Sequence, residues 1–158
     1  MLPSFLCAQS SLSDLERSDH NTKYMGDSTL MAPLLEMLRK DYERVIVPRE
    51  QLCSEKVSEV GEIVIKEETY LIVYQESGIG HSCRGISNLL IFKNGHFTGF
   101  YRSDLDLNFW IQDGQLCSSS LAHDSSFDRI NLSSGWPTVL PILNGLPYNN
   151  AAKYEKHE

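Results

Sequence analysis

Residues Leu89–Cys117 read LLIFKNGHFTGFYRSDLDLNFWIQDGQLC, and this stretch decides the fold class. Asn94-Gly95 and Asp113-Gly114 each stand between runs rich in β-branched and aromatic residues. A type I′ hairpin turn needs positive φ at both central positions, which Asn, Asp and Gly tolerate best. Two such signals in one stretch predict an antiparallel meander, with strands over 87–93, 96–102, 107–112 and 115–119. Within it, Phe109 and Trp110 are adjacent, so on a flat strand their side chains leave opposite faces.

Upstream, EIVIK (62–66) and TYLIVYQ (69–75) read as two more strands around a tight Glu67-Glu68 turn. Downstream, 128–133 and 138–143 read as a hairpin around Ser134-Gly135-Trp136-Pro137, with Pro141 confining the last strand to an edge. About eight strands result, enough for a curved sheet, a sandwich or a small barrel.

Before Pro48 the periodicity is helical. Phe5, Ala8, Leu12 and Leu15 recur at helical intervals, and Ser13 and Glu16 have capping-box spacing. A second helix is expected from residues 30–32 onward, so that Pro33 lies in its first turn. Met31, Leu34, Leu35, Leu38 and Tyr42 form its apolar face, and Glu36, Arg39, Lys40 and Glu43 its solvated one. The expectation is a single α+β domain over 1–158: a helical pair in 1–48, packed on an antiparallel meander in 60–145, with a polar, frayed tail over 147–158.

The chain has 158 residues, and its 14 basic against 21 acidic residues give a net charge of −7. That balance disfavours nucleic acid, whose phosphates reward clustered Lys and Arg, and suits a basic protein partner. No apolar run is long enough to cross a bilayer as a helix. The opening MLPSFLCAQSS has neither a basic start nor a long apolar stretch. No signal peptide is expected in it, and the compartment stays open. Cys7, Cys53, Cys83 and Cys117 are even in number and compatible with two disulfides, and no pair has C-x-x-C spacing.

Three constellations bear on function. Gly95-His96-Phe97-Thr98-Gly99-Phe100-Tyr101, followed by Asp113, resembles the histidine box of papain-fold cysteine peptidases, above all the ubiquitin-specific peptidases and their bacterial and viral relatives. The resemblance implies a triad in which Cys7 attacks a carbonyl, His96 protonates the leaving group and Asp113 orients His96. Read from the residues alone, His96 follows a turn and Asp113 belongs to one, as any such hairpin requires.

SGIGHSCRG (77–85) is the second. Gly78 and Gly80 could expose backbone N–H groups and Arg84 could add a charge for an anion, but a strand follows, so a dinucleotide fingerprint is excluded. A nine-residue loop bearing His81 and Arg84 is instead a candidate contact surface. Third, His81 and Cys83 with His96, Cys117 or His123 are zinc-compatible types, but alternation along an extended chain separates the first two, so no metal is expected. No cofactor is expected either. Trp110 and Trp136 lack an obvious burial site and join His81 and Arg84 as candidate binding residues. The function expected is a small acidic binding protein, of inhibitor or immunity type, that blocks a basic partner. The cysteine hydrolase is the alternative, and a small-ligand carrier a third possibility.

Overall fold

The computed structural model describes residues 28–104, 107–120, 127–142 and 145–156. Both hairpins form. Asn94 and Gly95 take φ of 51° and 76°, and Asp113 and Gly114 take 51° and 71°. They join β3 (Arg84–Lys93) to β4 (His96–Ser103) and β5 (Leu107–Gln112) to β6 (Gln115–Ser120). A third tight turn falls on Lys66 and Glu67, at φ 49° and 67°, between β1 (Leu52–Ile65) and β2 (Glu68–Ile79). Neither residue is a turn former, and long flanking strands hold the pair in the left-handed region.

The expected meander divides between two sheets. One has the strand order β1-β2-β3-β4-β9-β8, and the other the order β5-β6-β7. Here β7 is Phe127–Ile130, β8 Val139–Leu140 and β9 Leu146–Asn150. The chain therefore changes sheet after β4, and the described residues form nine strands in two open sheets, with no closed barrel.

The hairpin expected from 128–143 is not formed. β7 pairs with β6, whereas β8 pairs with β9. Pro141 follows a two-residue edge strand, which agrees with its lack of a ladder donor. The stretch read as a frayed tail is instead structural. β9 pairs with β4 through Asn149–Phe100 and Tyr148–Tyr101, Tyr154 packs edge-on against Phe100 at 5.3 Å, and Lys156 N–H donates to Asp41 O at 2.9 Å.

Alternation along the strands gives the large sheet two apolar faces. On one, Val73, Leu90, Phe92, Phe97 and Phe100 pack against Leu35 and Leu38 of helix α1 (Ser28–Asp41) and against Val45 and Ile46. On the other, Ile72, Tyr74, Leu89, Ile91 and Tyr101 meet Leu107, Leu116 and Ile130 of the small sheet. The layers thus run helix, six-stranded sheet, three-stranded sheet.

Helix α1 begins earlier than expected, so Pro33 lies inside it beyond the first turn. Its missing N–H removes one intrahelical bond, and burial of Leu35 and Leu38 on the sheet holds the helix instead. The other expected helix, over 5–15, lies outside the described residues. No described helix is long and apolar enough to cross a membrane.

Candidate functional site

The helix-facing side of the large sheet changes character toward the start of β1. There a row of polar side chains crosses four strands. Gln75 Nε2 donates to Glu55 at 3.1 Å, Asn88 Nδ2 donates to Gln75 Oε1 at 2.8 Å, and Arg102 Nε donates to Asn88 Oδ1 at 2.9 Å. Arg102 Nη2 then donates to Val45 O at 2.6 Å, and Arg39 of α1 closes the row on Glu55 at 2.5 Å. Arg39, expected on the solvated face, is only 11% exposed at its side chain. The row follows from register, since Gln75 lies opposite Asn88 and Asn88 opposite Arg102. Burial pulls the Arg102 guanidinium below its ordinary value, and the Asn88 and Val45 acceptors compensate the desolvation. The row ties helix to sheet, and its groups are already used.

The opposite side of the same strand ends forms a groove. Gly78 faces Gly85 across β2 and β3, and Ser54 of β1 lies opposite Gly78. One row further in stand Lys56, Glu76 and Ser87, also in register. A row with almost no side chain beside a row of longer ones leaves a trough of about 300 Å3, bordered at one end by Asp104. Lys56 Nζ sits 3.6 Å from Glu76 Oε2, so that ammonium is offset, while Asp104 has no ion-pair partner among the described residues.

A disulfide closes the other end. Cys53 stands at a bulge in β1, and its bridge to Cys83 spans Cα atoms 5.7 Å apart. A Cβ on Gly78 would meet Cys83 Sγ at 2.5 Å and Cys53 Sγ at 2.6 Å, so only glycine fits beneath the bridge. Over Gly85 there is open space.

Along the outer border of the sheet, β1 has no neighbouring strand on one side among the described residues. Glu59, Glu62 and Val64 lie opposite Val73, Leu71 and Thr69, and therefore share the helix-facing side, beyond the helix. Val64 is 66% exposed. Glu55, Glu68 and Glu76 are paired with Arg39, Lys93 and Lys56. Glu59, Glu62 and Glu67 have no ion-pair partner among the described residues. This strip and the groove lie on one strand.

The residues singled out from the sequence scatter. His96 is exposed opposite Lys93 in the large sheet, and Asp113 occupies the β5–β6 turn of the small sheet. No hydrogen bond joins them among the described residues. Cys7 lies outside those residues, as does His123. His81 and Arg84 are exposed at the β2–β3 tip. That tip is shorter than a nine-residue loop, because Ile79 pairs with Arg84 and Gly78 with Gly85.

Trp110 is 8% exposed and groups with Cys117, which is disulfide-bonded. Phe109 faces the other way, onto Tyr74 at 5.2 Å. Trp136 is half-buried, edge-on to Tyr70 at 5.7 Å. Among the described residues no three His, Cys, Asp or Glu side chains converge as a metal site.

The sequence reading missed Glu59, Glu62, Val64 and Asp104. One signal for the groove was legible: Gly78-Ile79 and Gly85-Ile86 flank the five residues 80–84, the mark of two glycines facing each other across a hairpin. No protein-family model, curated protein or solved structure matches the chain.

Proposed function

We propose that the chain is a non-enzymatic acidic binding protein, of inhibitor or immunity type, that takes a basic segment of a partner protein as an added strand along β1. The observation that carries this reading is the combination, among the described residues, of an edge strand without an outer neighbour, carboxylates at Glu59 and Glu62 without a cation, and an exposed Val64 on the same face. An edge strand presents unpaired backbone donors and acceptors, which an extended peptide satisfies; side chains then decide which peptide is admitted. The same carboxylates hold apart two acidic copies of this chain and accept lysines opposite them.

The test uses a synthetic peptide of alternating lysine and valine, with alternating glutamate and valine as control, titrated by fluorescence anisotropy. Saturable binding of the lysine peptide alone, weakened by salt, is expected. Reversal of two charges in Glu59→Lys/Glu62→Lys is expected to weaken it about tenfold. Equal binding of both peptides, or indifference to the reversal, overturns the reading.

A further inference from the structure

From the trough beside the Cys53–Cys83 bridge we infer that it is a subsite for a guanidinium group, the side chain of an arginine on the basic partner. The inference rests on the reading of β1 as a docking edge and deepens it. A strand added to β1 alternates its side chains between the two faces of the sheet, so residues beside Ser54 and Lys56 are directed toward the trough.

The chemistry of the trough selects its occupant. Its floor at Gly85 is bare backbone with open space above it, beside Gly78 where the bridge and Ser54 already cover the chain. On such a surface a planar, weakly hydrated cation can lie and a compact ammonium gains little. Asp104 offers a carboxylate with no cation of its own among the described residues, suited to the paired N–H groups of a guanidinium. The hydroxyls of Ser54 and Ser87 can accept what remains. Lys56 would repel a cation, but Glu76 stands 3.6 Å from it and offsets its charge. The volume of about 300 Å3 matches the small end of ligand pockets.

The test is a backbone-amide NMR titration of the full chain with N-acetyl-arginine methylamide, against N-acetyl-lysine methylamide. Saturable shifts confined to Gly78, Gly85, Ser87 and Asp104 are expected for the arginine probe. The lysine probe should bind about tenfold more weakly. Gly85→Val places a side chain in open space, on backbone that is not left-handed, and should fill the trough and abolish the shifts. Asp104→Asn should weaken them about tenfold, and it carries the test if Gly85→Val fails to fold.

Absent or dispersed shifts, equal response to lysine, or an unchanged response in folded Gly85→Val or in Asp104→Asn overturns the inference. If the lysine-valine peptide binds and the arginine probe does not, the subsite falls and the docking edge stands. The reverse outcome removes the edge and leaves the trough as a site for free guanidinium compounds.

Discussion

Gly78 and Gly85 face each other in register and are otherwise unlike. Neither has a left-handed φ, so backbone strain does not decide what either tolerates, and space does. Gly78→Ala drives a methyl into the Cys53–Cys83 bridge and is expected to lower stability by about 1–3 kcal/mol. Gly85→Ala meets nothing within 4 Å and is expected to stay within about 0.5 kcal/mol of the parent. Urea unfolding of both variants reads the difference, and equal midpoints would show that the bridge does not press on Gly78. The glycines were visible in the sequence as a symmetric pair around a hairpin tip. The constraint was not, because Cys53 reaches Gly78 only through a strand whose start carries no hydrophobic pattern.

At the scale of elements, the contrast lies between β3–β6 and β1. Asn-Gly and Asp-Gly declare their hairpins because left-handed backbone favours those residues, whereas the Lys66-Glu67 turn carries no such mark. The first part of β1, LCSEKVSEVG, declares nothing, since only Ser58 and Val60 of it are buried and no apolar face repeats along it. The sheet change after β4 was equally hidden, because alternation is the same in either sheet.

The polar row across β1–β4 is likewise a product of register. Its central member gives the sharpest check on it. Asn88→Leu strands Gln75 Oε1 and Arg102 Nε without their partner, and is expected to cost about 2–4 kcal/mol. Replacing Gln75 and Asn88 together with leucine should cost less than the sum of the single changes, as a double-mutant cycle would show. Strict additivity would mean the two amides do not act on each other.

Across the whole molecule, the layers are held by aromatic side chains with buried polar ends, which ties stability to pH. Burial raises the Tyr101 and Tyr148 phenols above their ordinary value of 10.0, while their hydroxyls donate to Pro137 O at 2.6 Å and Thr98 O at 3.0 Å. In the unfolded chain both ionise near their ordinary value, so above it the folded state holds more protons and stability falls as pH rises. Their contribution is complete below about pH 10 and is lost as pH climbs from there toward the raised folded values. Thermal unfolding followed from neutral to alkaline pH should show a decline that starts near that point and is smaller in Tyr148→Phe. A decline of the same size in that variant would assign the effect elsewhere.

The predominance of antiparallel strands and the Asn-Gly and Asp-Gly hairpins were legible because local chemistry writes them. The strip proposed for docking was not, because it is defined by which carboxylates find no cation among the described residues, a property of the assembled surface. Net charge announced an acidic protein without saying where the acid is concentrated.

The most direct measurement is hydrogen exchange of the β1 amides in the full chain, with and without the lysine-valine peptide. Slow exchange gained along residues 55–64 on binding, at amides open in the free protein, is the expected result. Protection already present in the free chain at the β1 amides that point away from β2 would mean that the edge is filled from within the molecule. Binding without new protection in β1 would place the peptide elsewhere. Either result would contradict the account of β1 as the edge that receives a partner.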